Sequence, residues 1–141
     1  VCLGGGVLGY SEKELFYRYG INTEQVHQLS VTDNQLKAFY KKALLFVYPS
    51  LYEGFGLPLL EAFANNCPIA TSNTSCFPEV GGDAVVYFDP NDPDDIRNTI
   101  ESVISNPVLG DQLRLLGTKQ LKKFSMDSCM AKTKNVYKTL L

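Results

Sequence analysis

Two carboxylates, Glu53 and Glu61, stand eight positions apart around a glycine bend, Glu53-Gly54-Phe55-Gly56-Leu57-Pro58. Glycines let backbone amides approach a ligand with no Cβ in the way. Pro58 suits the first turn of a helix, where a missing N–H is no loss. A helix start adds about half an elementary positive charge. Amides and dipole together suit a phosphate, yet the flanking acids repel a bare one. A ligand with phosphate in the middle and hydroxyls at both ends fits better, because carboxylates are good acceptors for sugar hydroxyls. Nucleotide sugars have this layout: ribose, diphosphate, hexose. The residues alone leave a second reading open, a structural turn with two solvated glutamates.

A second glycine cluster lies near the start. Gly4, Gly6 and Gly9 formally match G-x-G-x-x-G between a strand and a helix, with Asp33 at the distance of a ribose-binding acid. Taken literally this is an NAD(P)- or FAD-binding oxidoreductase. The match is poor: the third glycine should lie inside the helix, whereas Gly9 precedes Ser11, the better cap. A tight glycine turn at a strand end is the plainer reading. His27, the one histidine, falls in a strand-like stretch and is not expected to be a general base. Asp92, Asp94 and Asp95 resemble a metal cluster but sit at a helix start, where carboxylates cap and offset the dipole. Cys2, Cys67, Cys76 and Cys129 include no C-x-x-C pair, so no zinc site is expected. They read as reduced, mostly buried thiols of a cytosolic protein.

Alternating elements must position these loops. Val1–Leu3 reads as a strand end. A helix opens at Ser11 with Glu14 completing a capping box, and Gly20 closes it. A short strand follows at 25–29. Thr32 and Gln35 form another capping box, ahead of Leu36, Phe39, Tyr40 and Ala43 on one helical face. Leu44–Tyr48 is an unbroken apolar run, as in a parallel strand covered on both faces. A helix runs from Pro58 to about Asn66. Strands are expected at 68–71 and 84–88, separated by a polar loop reaching Gly81-Gly82. Helices then start at Asp92-Pro93, with Ile96, Ile100, Val103 and Ile104 inward, and at Asn106-Pro107, with Leu109, Leu113 and Leu116. The last helix spans roughly 127–141. The pattern implies an α/β fold with a parallel sheet of about five strands flanked by helices. In such sheets ligands bind beyond the carboxyl ends of the strands, which singles out loops 4–10, 30–33 and 49–58.

Composition agrees with a single folded domain. Of 141 residues 45% are hydrophobic and 20% charged, which excludes disorder. Thirteen basic against fifteen acidic residues, with no long run of one sign, argue against nucleic-acid partners and give no sign of membrane association. No apolar stretch approaches the ~18–20 residues that span a bilayer. The chain opens on Val1 inside an apolar run, which reads as a cut through a larger protein.

The stretch Pro49-Ser50-Leu51-Tyr52-Glu53-Gly54-Phe55-Gly56-Leu57-Pro58-Leu59-Leu60-Glu61-Ala62 resembles the E-x7-E signature of the family 4 retaining glycosyltransferases. Leu3–Gly6, Val26–Leu29, 68–73, Pro78-Glu79-Val80 and Ala84–Pro90 follow in family order. The resemblance covers nearly the whole chain and is densest over 44–90. It implies the GT-B fold, with this chain as the C-terminal, Rossmann-like donor-binding domain, truncated at its first strand–helix unit. It implies transfer of a hexose, with retention, from a nucleotide-diphosphate sugar to a glycan or lipid-linked acceptor. The acceptor is bound by a separate N-terminal domain. Glu53 would be catalytic, beside the donor hexose. Gly54, Phe55, Gly56 and Leu57 would line the diphosphate and hexose, Glu61 would bind the ribose hydroxyls, and Val31 would lie by the nucleobase. Here the sequence departs from many relatives, which carry Gly-aromatic before the valine where this chain has Ser30. The Arg and Lys that clamp the diphosphate in the family would lie upstream of Val1. No cofactor and no metal are implied. The setting implied is polysaccharide assembly in the cytoplasm, peripheral to the inner membrane in the full-length protein. A GT-B nucleotide-sugar epimerase is the alternative within this fold.

Overall fold

The computed structural model describes residues 1–3 and 6–140. Gly4 and Gly5, with the first glycine of the expected fingerprint, and Leu141, the end of the last expected helix, lie outside the described residues. The chain forms two compact units, Val1–Ala38 and Phe39–Leu141.

In the first unit β1 (Cys2–Leu3) pairs in parallel with β2 (Gln28–Leu29). Between them runs α1 (Tyr10–Arg18). It opens one residue before the expected Ser11: Gly9 is the cap, and its N–H donates to Glu12 Oε2 at 2.6 Å. The expected Ser11/Glu14 box does not form. Gly20 ends the helix as expected, at φ +64, with Gly20 N–H donating to Tyr17 O and Ile21 N–H to Phe16 O. These paired bonds close the last turn. β2 is shorter than the expected 25–29 because Asn22 Oδ1 accepts from Glu24 N–H and winds Thr23–Gln25 into a 3-10 turn. A short amide side chain here competes with the extended backbone. His27 stands one residue before β2, and its carbonyl accepts from Cys2 N–H.

The helix α2 (Asp33–Lys42) runs from the first unit into the second. Its capping box is the expected one: Thr32 N–H donates to Gln35 Oε1 at 2.9 Å, and Gln35 N–H reaches Thr32 Oγ1 at 3.5 Å.

The second unit carries β3 (Phe46–Tyr48), β4 (Ile69–Ser72) and β5 (Val86–Phe88), paired in that order and all parallel. All five strands are thus present and all ladders are parallel, but they form a pair and a triplet rather than one expected sheet. Apolar runs mark where strands form; the ladder partners depend on contacts distant in sequence. β4 is the central strand, with all four residues buried. Among the described residues β3 pairs only with β4, and it is half-buried, so the covering expected on both its faces belongs to β4 instead.

Helix α5 (Pro93–Ile104) packs against β5, and α6 (Pro107–Leu121) packs against both α5 and α3 (Leu57–Ala64). Asp92 Oδ1 caps α5 by accepting from Asp94 and Asp95 N–H, and Asp95 Oδ2 accepts from Asp89 N–H. The aspartate cluster therefore serves as the cap expected of it. Asn106 caps α6 through Leu109 N–H. Two inward assignments fail: Ile104 and Leu116 are exposed. On α6 the inner face is instead Gly110, Leu113, Gly117 and Gln120. A Cβ on Gly117 would lie 2.6 Å from Phe63 Cδ1, so glycine is what lets α6 lie against α3. The expected polar loop before Gly81 contains a short helix, α4 (Phe77–Gly81). Its Phe77 is wholly buried and anchors the core below the site. The last helix, α7 (Met126–Thr139), has Ser125 as its cap and leaves Met130, Val136, Tyr137 and Leu140 exposed. Of the cysteines only Cys67 is buried; Cys2 and Cys129 are exposed, contrary to expectation. Burial pushes the Cys67 thiol up to about 11.

Candidate functional site

β3 ends at Tyr48 and β4 at Ser72, and the two strands run in the same direction. Loops 49–56 and 73–76 therefore share the C-terminal rim of the triplet, the usual ligand-binding edge of a parallel sheet. Side chains stitch the loops together. Thr74 Oγ1 donates to Leu51 O at 3.1 Å. Ser75 Oγ donates to Glu53 O at 2.8 Å and accepts from Glu53 N–H at 3.3 Å. Cys76 Sγ lies 3.3 Å from the same carbonyl.

The bend then reverses at Gly56, the cap of α3. Gly56 has φ +85, a left-handed conformation, and a Cβ there would meet Phe77 Cε1 at 3.4 Å. The left-handed backbone favours glycine at this position, and the ring lies at ordinary contact distance from where a Cβ would be. Gly54 is different, because a Cβ on it would face open space. Pro58 occupies the first turn of α3 as expected. Leu59, Ala62 and Phe63 turn inward from α3 and hold the helix on the core, which leaves Glu61 on its exposed side.

Each carboxylate of the pair meets a tyrosine. Tyr48 donates to Glu53 Oε1 at 2.6 Å, and Ser50 Oγ donates to the same oxygen at 3.0 Å. Among the described residues no donor meets Glu53 Oε2, so that oxygen is free to accept from a ligand hydroxyl. Tyr40, near the end of α2, donates to Glu61 Oε2 at 3.4 Å. The two tyrosines belong to one row of rings. Tyr40 meets Phe46 edge-on at 5.1 Å, Phe46 stacks on Tyr48 at 5.5 Å, and Tyr48 meets Phe77 edge-on at 5.6 Å. This row forms a rigid floor under both glutamates. Burial, then the Glu53 carboxylate, pushes the Tyr48 phenol up to about 12, with Cys76 and Glu61 adding to the rise. Burial and Glu61 push Tyr40 higher still. Both phenols therefore stay protonated and act as donors at neutral pH.

Among the residues expected to bind ligand, Glu53, Gly54, Phe55, Gly56, Leu57 and Glu61 all lie on this one rim or the helix it opens. Phe55 and Leu57 are exposed, and Phe55 meets the Phe124 ring edge-on at 5.9 Å. Tyr52, expected to pack, is 81% exposed. Val31 belongs to the first unit, half-buried just before the Thr32 cap. In that unit an open concavity of about 410 Å³ is lined by Gly6, Val7, Leu8, Lys13, Gln28 and Ser30.

Sequence reasoning placed Tyr40 and Tyr48 in the core and passed over Ser50, Thr74 and Ser75. A strand ending in tyrosine just before a paired-acid loop was an available signal. The loop 73–76 carried none, because its bonds to residues 51–53 span more than twenty positions.

The parallel strands with their flanking helices give this chain a fold of the GT-B type. The Glycosyl transferases group 1 family matches residues 1–120, and the chain belongs to that family. It is 43% identical over 110 residues to O-antigen chain mannosyltransferase B of Escherichia coli, covering 78% of this chain and 29% of that protein. It is 34% identical over 137 residues to the MMP alpha-(1->4)-mannosyltransferase of Mycolicibacterium hassiacum, covering 92% of this chain and 32% of the relative. The chain thus spans about a third or less of the length of these relatives. Among solved structures, sucrose-phosphate synthase from Thermosynechococcus elongatus superposes with a TM-score of 0.79 at 22% identity, over 98% of this chain and 37% of that one. At that identity the likeness concerns the fold. No helix among the described residues is long and apolar enough to cross a membrane.

Proposed function

We propose that this chain is the donor-binding domain of a retaining glycosyltransferase that transfers a hexose from a nucleotide-diphosphate sugar to a glycan or lipid-linked acceptor. The observation that carries this reading is the pair of tyrosine-held carboxylates, Glu53 and Glu61, flanking a glycine-capped helix start on the sheet's C-terminal rim. Glu61 accepts from the ribose hydroxyls. Backbone amides of 55–57 and the positive end of α3 meet the diphosphate, which becomes the leaving group. Breaking the glycosidic bond builds negative charge on that group, and oriented dipoles lower the barrier. Glu53 lies beside the reacting carbon, with Oε2 accepting from a hexose hydroxyl. No metal takes part. A separate N-terminal domain binds the acceptor, and the Arg and Lys that clamp the diphosphate belong to the first strand and loop of the donor-binding domain. The names of the relatives favour mannose as the hexose and bacterial surface polysaccharide as the product.

The test is a calorimetric titration with GDP, UDP, GDP-mannose and NAD, followed by transfer assays on the intact protein. A nucleoside diphosphate is expected to bind and NAD not to. Glu53→Gln should lower transfer at least ~10³-fold while the nucleoside diphosphate still binds. EDTA should leave transfer unchanged. Binding of NAD with no binding of either nucleoside diphosphate would overturn the reading.

A further inference from the structure

We propose that Ser75 is a positioning residue for Glu53, a role that rests on the reading of Glu53 as the carboxylate beside the reacting carbon. Ser75 has φ +55, in the left-handed region. The chain's other left-handed positions among the described residues are Gly20, Gly56, Gly82 and Asn66, residue types that tolerate it. A serine there is an exception, and strain of this kind persists where the surroundings over-determine it.

The surroundings of Ser75 are the backbone of Glu53. Its hydroxyl donates to Glu53 O at 2.8 Å and accepts from Glu53 N–H at 3.3 Å. One side chain thereby replaces both bonds that a neighbouring strand would make to that residue. Thr74 and Cys76 hold Leu51 O and Glu53 O from either side of it. Tyr48 and Ser50 orient the Glu53 carboxylate itself. Glu53 is therefore held at its backbone from β4's loop and at its carboxylate from β3's end. Glycine at position 75 would relieve the strain, so the value of serine lies in its hydroxyl. Loss of that hydroxyl frees the Glu53 backbone while leaving Glu61 and the amides of 55–57 in place. A reacting group displaced by about 1 Å loses about 10²-fold in rate.

The test compares Ser75→Gly and Ser75→Ala with the parent in the intact protein, measuring transfer at varied GDP-mannose together with thermal unfolding. Both variants are expected to lose roughly 10- to 100-fold in kcat with donor KM within about threefold. Ser75→Gly should unfold at a higher temperature than Ser75→Ala, because relief of the backbone strain offsets part of the two lost hydrogen bonds. A merely structural serine would instead show activity following stability. Ser75→Gly that keeps kcat within about twofold overturns the proposal, as does a rise in donor KM at unchanged kcat. Glu53→Gln is the separating control. If it abolishes transfer while Ser75→Gly is fully active, only the role of Ser75 falls. If Glu53→Gln transfers normally, the reading of Glu53 falls and the proposal falls with it.

Discussion

The sequence contains two glycine clusters that look alike on paper, one over residues 4–9 and one over residues 54–56. Their surroundings differ. A Cβ on Gly6 would meet nothing within 4 Å, and none of the described residues of 1–38 is buried. Gly56 is buried at positive φ against Phe77, itself wholly buried. Its bend is sewn to a second loop by three consecutive side chains. Spacing of glycines is therefore a poor guide to a binding site. Packing separates the described glycines: Gly56 lies against a buried ring, whereas Gly6 has nothing beside it.

Substitutions can break or sharpen that contrast. Removing the anchor should do most: Phe77→Ala is expected to lower stability by about 3–5 kcal/mol in urea unfolding. Next, Gly56→Ala must place an L side chain at φ +85 against an aromatic ring. A loss of about 1–3 kcal/mol follows, with weakened nucleotide binding by calorimetry. Tyr48→Phe keeps the ring row and removes the bond to Glu53. It should cost about 1–2 kcal/mol and lower kcat about tenfold, in unfolding and transfer assays.

The same tyrosine gives an alkaline signature. Its folded pKa, about 12, lies above the ordinary value of 10, so the folded state holds its proton more tightly. That contribution to stability is complete below pH 10 and is lost as pH rises from 10 through 12. Tyr48→Phe should flatten this fall in a series of unfolding curves. At the small end, Gly54→Ala and Gly6→Ala should each change stability by less than ~0.5 kcal/mol. A Gly6→Ala loss as large as that of Gly56→Ala would erase the contrast between the two glycines.

Local chemistry was legible at most places where a residue's partner lies a few positions away. The Thr32/Gln35 box, the Gly20 stop, and the Asp92 and Asn106 caps all formed as read. The one cap that moved, from Ser11 to Gly9, moved because Glu12 reaches back to the glycine N–H. The five strand segments were visible in the sequence, β1, β3 and β5 as apolar runs, and Glu53, Gly56 and Glu61 stood out by type and spacing. Less visible were burial and partnership. Leu116 and Ile104 keep a helical period yet face out, while Gly117 and Gln120 face in, because Phe63 and the Val80 carbonyl wait there.

By itself, then, the amino-acid order determined most helix ends, the strand segments, the parallel α/β class and the two acids, since each depends on propensity or on bonds within a turn. Only the tertiary structure decided the ladder partners, the aromatic floor beneath the acids, and the hydroxyl of Ser75 on the backbone of Glu53. Those contacts join residues far apart in the chain, and a linear pattern holds no term for a bond that exists only once β3 and β4 lie side by side.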